Sequence, residues 1–388
     1  MNDINSLKVN KILFISHDGN RAGAQLFLLQ VVRYFQEKGH DCHVLFLDNG
    51  ELVDTFSQSA STYIWQSNQK RNRLYRVVRN RKPLPQDVLK RTNFDWVYVN
   101  TIASSSVISW LNTWNTAPLV AHIHELYYSI SMYSTMENRK MLFERADRII
   151  ACANAVKENL LLTNKIPQNK LVTIHSFVDN ETVLKRIEMT NRKEFRDAFE
   201  IPNTSFCVVS CGNAEWRKGI DLFLRVAAQY VKESPQLPIL FIWVGMPKEG
   251  LLWEQVTYDV KRLGLEDVCL FIPPIPNAIE LIAAMDLFLL PSREDPFPLV
   301  MLEAALASKP IIGFEKTGGC TEFVEKDAGI TVPYGDTEAM YREIVHAYHH
   351  PEQAQAFAQK GQDKVLERYT YEASMQKIEQ LMLEMTNT

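Results

Sequence analysis

The sequence predicts an α/β chain of two doubly wound, Rossmann-like halves, and three observations carry that prediction. A strand, a glycine-containing loop and a helix follow one another in "VNKILFISHDGNRAGAQLFLLQVVRYFQEKGHDCHVLFL" (9–47). The same order returns in "FCVVSCGNAEWRKGIDLFLRVAAQYV" (206–231). Strand and helix go on alternating after each, the pattern of a parallel sheet with helices over its faces.

Each element has a local reason. In the first stretch Gly19 and Gly23 sit in the loop, Leu28, Val31, Val32 and Phe35 share one helix face, and Gly39 stops the helix as a C-terminal glycine does. The first half is expected over residues 1–180, ending beyond "LVTIHSFVDN" (171–180). The polar "ETVLKRIEMTNRKEFRDAFEIPNT" between the halves predicts a single surface helix. In the second half, expected over 181–370, "LPILFIWVG" (237–245) supplies the strand after the Gly-containing loop and its helix. "DLFLL" then reads as a buried strand, and "LVMLEAALA" as a helix of strong helix formers with apolar residues at helical spacing. An amphipathic helix near Tyr371–Met385, within 371–388, is expected to pack back across the domains.

Bulk properties narrow the class. The 388 residues are 46% apolar and 23% charged with a formal net charge of −4, which gives no reason to expect a nucleic-acid partner. The apolar run Ile12–Ile15 is too brief for a signal peptide, and Leu237–Met246 is half the length of a membrane span. Cys42, Cys152, Cys207, Cys211, Cys269 and Cys320 show no paired spacing and read as reduced core thiols of a cytoplasmic protein.

The chemistry gathers in "PSREDPFPLVMLEAALASKPIIGF" (291–314), where a charged turn joins strand to helix. An open α/β sheet holds its ligand beyond the carboxyl ends of its strands. Asp295 lies in the turn, and Glu303 about two helical turns farther on, with seven residues between them. A carboxylate accepts two hydrogen bonds and can grip neighbouring hydroxyls, while the helix start offers N–H groups to a phosphate. The pattern suits a nucleotide sugar with hexose at Asp295, ribose at Glu303 and the diphosphate between; solvated charges at a helix entry are the alternative.

"SREDPFPLVMLEAALASKPII" resembles the signature of family four glycosyltransferases, retaining nucleotide-sugar enzymes of the GT-B fold, whose two acidic residues bracket seven others in an E-P-F-G-L-V-x-L-E-A context. "KTGGCTEFVEKDAGITVPYGD" (316–336) is similar to the family's Gly-Gly-x-x-Glu segment. "GNAEWRKGIDLF" (212–223) resembles its basic phosphate loop, and "RAGAQLFLLQVVRYFQEKGHDCHV" (21–44) its Gly-Gly-Ala-Glu helix. The resemblance implies two Rossmann-like domains facing across a cleft and transfer of a sugar from a nucleotide diphosphate donor to an acceptor hydroxyl. It also implies work on a glycan or lipid-linked acceptor, in cell-surface polysaccharide or glycolipid synthesis, with no metal and no cofactor.

Carried onto this chain, the resemblance implies that Lys218 binds the diphosphate and stabilises its charge, with Arg217 standing in for an arginine that Asn213 replaces. Phe297, Leu299, Val300 and Glu303 are expected at the donor. Asp295 stands where the family has Glu, and Pro298 replaces a glycine and has no N–H to give. Gly23 and Ala24 are expected close to the diphosphate. His124, ending "PLVAHIHELYYS" (118–129), is expected to act near the donor sugar or to be a satisfied core histidine, and His122 is a weaker candidate. Glu322 is expected at the donor cleft or as a helix-terminal acid. No D-x-D or His cluster has metal-ligand spacing, Asp18 and Asp48 standing alone.

Two other functions stay open on these residues. One is a nucleotide-sugar epimerase on the same architecture. The other is a non-catalytic sugar-nucleotide binder serving as a partner subunit. A dehydrogenase is disfavoured, because neither Gly-containing loop forms G-x-G-x-x-G. Finally, "KRNRLYRVVRNRK" (70–82) carries seven basic residues in thirteen, with Leu74, Val77 and Val78 at helical spacing. A helix with Arg73, Arg76 and Arg79 on its flanks would suit an anionic membrane surface or a diphosphate-linked lipid acceptor; a solvated basic face is the plain alternative.

Overall fold

The computed structural model describes residues 10–66 and 84–386. The basic segment with Arg73, Arg76 and Arg79 lies outside the described residues. Contacts divide the chain into two compact units. One runs to Cys152 and adds Val156–Ile174 and the chain from Met375; the other is Ala153–Ala155 with His175–Ser374.

The first unit is built on a seven-stranded sheet in the order β3-β2-β1-β4-β5-β6-β7, with every pairing parallel. Its strands are β1 (Lys11–Ser16), β2 (Asp41–Phe46), β3 (Ser61–Ile64), β4 (Trp96–Asn100), β5 (Leu119–Ile123), β6 (Arg148–Ala151) and β7 (Leu171–Thr173). A parallel sheet is covered on both faces, so its inner strands need apolar side chains on both sides. Runs such as "ILFI" in β1 and "WVYV" in β4 supply them and are wholly buried. The helix Gly23–Glu37 lays Phe27, Leu28, Val31, Val32 and Phe35 into this core.

The second unit holds a six-stranded parallel sheet, β10-β9-β8-β11-β12-β13. The strands are β8 (Phe206–Cys211), β9 (Ile239–Val244), β10 (Cys269–Ile272), β11 (Leu287–Leu290), β12 (Ile311–Phe314) and β13 (Ile330–Val332). Winding reverses between β8 and β11, where Leu287 pairs with Val208 and Phe288 with Val209. That places the loops after β8 and β11 side by side at the switch point, where open α/β sheets bind ligands.

One expectation needs correction. The polar interval after Asn180 forms two helices, Asn180–Glu188 and Arg192–Ala198, in place of one. Both lie at the surface, yet Arg196 on the second is fully buried. Its guanidinium is satisfied by the carbonyls of Ala284 (3.0 Å) and Ser205 (2.9 Å) and by the Asp286 carboxylate (2.7 Å). A buried charge is tolerated when its donors are all answered. The last helix, Tyr371–Thr386, is tied to the first unit from Met375 onward. There Glu379 accepts hydrogen bonds from the Tyr34 hydroxyl (2.7 Å) and from Lys38 (3.1 Å).

All six cysteines are free thiols. Burial pushes Cys42, Cys211 and Cys320 up to about 12, which leaves them as inert thiols at neutral pH. Among the described residues no helix is long and apolar enough to cross a membrane.

Candidate functional site

In the second unit, three loops meet at the carboxyl ends of the strands. Gly219, at φ +76, closes the short turn Trp216–Lys218, and a Cβ there would lie 2.0 Å from the Pro291 carbonyl. Gly318, at φ +135, comes equally close to the Asp295 carbonyl, where a Cβ would stand 1.9 Å away. Only glycine allows both the conformation and the approach. The Asp295 N–H donates to the Thr317 carbonyl at 2.7 Å, and Asp295 bridges Gly318 as a short parallel pairing.

The two arginines of these loops brace them reciprocally. Arg293 donates to the Trp216 carbonyl (2.9 Å), grips both Asp221 oxygens at 2.7 Å and lies over the Trp216 ring at 4.9 Å. Arg217 reaches the other way, to the Glu294 carbonyl (3.0 Å) and the Glu215 carboxylate (2.8 Å). Arg217, expected at the phosphate, is thus held by these bracing bonds. At the centre Lys218 Nζ stands 2.6 Å from Asp295 Oδ2, which also accepts from the Ser292 hydroxyl at 3.2 Å. Arg217 lies 3.6 Å from Asp295 Oδ1, too far for a hydrogen bond.

Glu303 differs from these. It is half-buried on the helix Leu299–Leu306, and its carboxylate makes no hydrogen bond or ion pair among the described residues. Burial holds its pKa above the usual carboxylate range, against a lowering pull from Arg186 and with a further push from Glu280. Arg186 is itself held by Glu280 through bonds of 2.8 and 2.6 Å. The Cys211 thiol is pushed up first by burial and then by Glu303, and pulled down by Lys218, so it feels both charges. The helix begins at Pro298 without a side-chain cap, which leaves first-turn N–H groups at Leu299 and Val300 for a ligand.

The remaining expected donor residues separate. Asn213 is exposed, and Leu299 and Val300 are half-buried. Phe297 is a core residue whose ring packs 5.1 Å from His175 and 5.2 Å from Tyr369. Glu322 is engaged structurally, accepting from His175 Nε2 at 2.7 Å and from the Ala155 N–H at 3.2 Å. Sequence reasoning did not find His175, Ser292, Arg293 or Asp221. Arg293 and Ser292 lie within the quoted signature, but their partners are remote in sequence and only the fold supplies them.

In the first unit, polar groups collect where winding reverses between β1 and β4. His124 Nε2 stands 2.9 Å from Asn100 Oδ1, and Asn100 Nδ2 donates to the Ala24 carbonyl at 3.0 Å. With its amide nitrogen committed, Asn100 presents oxygen to His124, so Nε2 carries the proton and Nδ1 is an acceptor. Burial lowers the His124 pKa to about 3, with His17 adding to the effect, so the ring is neutral. His122 is a core histidine, fully buried with Nδ1 at 2.5 Å from the Tyr98 hydroxyl and with no hydrogen-bond partner for Nε2 among the described residues. Asp18 accepts from Gln25 Nε2 at 2.5 Å and Asn20 Nδ2 at 2.7 Å. His17 adds contacts of 3.2 Å to both Thr101 Oγ1 and Gln25 Nε2. Gly23, exposed, and Ala24 open the helix beside this cluster.

Known proteins resemble this chain in sequence and fold. Residues 21–182 match the model described as Glycosyltransferase Family 4, and residues 191–364 that of Glycosyl transferases group 1. The chain is 24% identical over 293 residues to the N-acetyl-alpha-D-glucosaminyl L-malate synthase of Bacillus anthracis, covering 74% of each protein. It is 32% identical over 190 residues to the alpha-galactosylglucosyldiacylglycerol synthase of Streptococcus pneumoniae, covering 48% of this chain and 46% of that one. Its fold is similar to that of Anabaena Alr3699/HepE, solved in complex with UDP-glucose, at a TM-score of 0.79 and 20% identity over 97% of this chain and 100% of the other. The architecture is therefore GT-B, and the chain belongs to the family four, group 1 glycosyltransferases.

Proposed function

We propose that the protein is a retaining glycosyltransferase that moves a sugar from a nucleotide diphosphate donor to an acceptor hydroxyl, in the synthesis of a cell-surface polysaccharide or glycolipid. The observation that carries this reading is Glu303, a desolvated carboxylate with no partner among the described residues, on the helix that follows the Lys218–Asp295 pair. A carboxylate kept half-buried at such a cost is matched by a pair of donors, and a ribose diol supplies two. Lys218 and the uncapped helix start then take the diphosphate, and Asp295 Oδ1 faces the sugar. The UDP-glucose bound by the Anabaena neighbour and the glycolipid named for the pneumococcal relative support the same class of donor and acceptor.

In this mechanism the acceptor attacks on the face that the diphosphate leaves. The departing oxygen takes the acceptor proton while Lys218 neutralises the charge that grows on the phosphate. Lys218 does this without a metal ion. His124 in the first unit, neutral and with Nδ1 as acceptor, can take a hydrogen bond from a hydroxyl and stores no proton.

The test is to supply a panel of nucleotide sugars with mixed acceptor glycans and glycolipids, and to follow nucleoside diphosphate release and the anomeric configuration of the product. Transfer with the donor's configuration kept, and undiminished by a chelator, is expected. An inverted product would refute retention. Conversion of the donor sugar with no acceptor present would make the protein an epimerase.

A further inference from the structure

We propose that Asp295 is the anion that reclaims Lys218 when the nucleoside diphosphate leaves, and that it thereby speeds product release. The inference rests on the donor reading above and gives Asp295 a second task within it. Lys218 and Asp295 are joined at 2.6 Å with their side chains only 14% and 7% exposed. Water therefore screens the pair weakly.

The two partners are not equally free to move. Asp295 is fixed through its backbone: its N–H donates to Thr317, its carbonyl accepts from Gly319 at 3.2 Å, and Gly318 presses on that carbonyl. The Ser292 hydroxyl holds Oδ2 itself. Lys218 carries its charge at the end of a four-carbon stem, which passes the open face of Gly212 with Cε 3.3 Å from where a Cβ would stand. The carboxylate is thus a stationary anion and the ammonium the mobile charge. A diphosphate must draw that ammonium partly away from Asp295, and the pair closes again when the diphosphate departs. Like charges on one cation oppose each other, so Asp295 weakens the hold on product.

The experiment measures binding of uridine, adenosine and guanosine diphosphates, which carry no sugar, by calorimetry. Asp295→Asn keeps the shape and removes the anion, and it is expected to bind the preferred diphosphate roughly tenfold more tightly than the wild type. Product inhibition of transfer should strengthen by the same factor. Asp295→Glu, which keeps the charge, should stay near the wild-type affinity. In a Lys218→Gln background the tightening by Asp295→Asn should vanish, because the two residues act as one pair. Should Asp295→Asn not fold, Asp295→Ser also removes the anion and is read in the same way. Diphosphate affinity that is unchanged or weakened by loss of the anion, with the wild type binding, overturns this inference and leaves the donor reading intact. Binding of none of the three diphosphates by the wild type overturns the donor reading and this inference with it.

Discussion

Replacing Glu303 with Gln should move stability and donor binding in opposite directions. Burial raises the Glu303 pKa above its usual 4.5, so at pH 7.5 the ionised group costs the folded state more than the unfolded chain. The sign follows. The stability that a raised carboxylate pKa contributes is fully present below 4.5 and is lost as pH rises through the folded value. Glutamine escapes that loss, so Glu303→Gln should melt higher than the wild type at pH 7.5 and alike at pH 4. Donor binding goes the other way. Both Glu303 oxygens lack partners among the described residues, so a ribose diol could donate to each, whereas glutamine keeps one acceptor and turns an amide donor toward the second hydroxyl. Loss of one charge-assisted hydrogen bond costs about 1.5–3 kcal/mol, roughly a ten- to hundredfold rise in donor Kd. Melting curves at the two pH values and calorimetric titration with the donor decide it. Unchanged donor affinity, or a lower melting temperature at both pH values, would refute the assignment of Glu303 as a ligand group.

Lys218→Met should lower turnover about 100- to 1,000-fold with little change in acceptor KM, since charge grows on the diphosphate in the transition state; a change confined to acceptor KM would place Lys218 elsewhere. Arg217→Ala breaks the brace to Glu294 and Glu215, and should cost about 1–3 kcal/mol of stability in denaturant unfolding. His124→Gln should lower activity without moving either limb of the pH–rate profile between pH 5 and 9, because the ring titrates only near 3; an acid limb that vanishes in this variant would make His124 a proton carrier. For the basic segment, the wild type should bind anionic liposomes at low salt, and a combined Arg73, Arg76 and Arg79→Glu change should weaken this while donor binding survives. Each basic residue is worth about 1 kcal/mol at such a surface.

Fold class was legible because parallel strands buried on both faces leave runs of apolar residues that glycine loops and amphipathic helices punctuate. The acidic pair Asp295 and Glu303 was legible because both lie within one local stretch. The Lys218–Asp295 contact was not. It spans 77 positions and exists because β8 pairs with β11, past β9 and β10, an adjacency that no local pattern encodes. The packing of Phe297 was not legible either: its place in the signature says nothing of which way an aromatic ring turns, and it turns to His175 and Tyr369. Arg196 read as surface charge, and Glu322 as a donor-cleft or helix-terminal acid, because their partners, Asp286 for the one and His175 for the other, come from remote segments.

Thermal stabilisation by a panel of nucleotide diphosphate sugars, with matched nucleoside monophosphates as controls, tests the central claim most directly. A ligand at a hundred times its Kd adds about 2.7 kcal/mol to the folded state, or about 5–10 °C for a domain of about 200 residues. The account predicts a rise of that size for one diphosphate sugar, little for its monophosphate, and a rise cut to about half or less in Glu303→Gln at the same ligand concentration. A flat response to the whole panel, or equal stabilisation of wild type and Glu303→Gln, would contradict it.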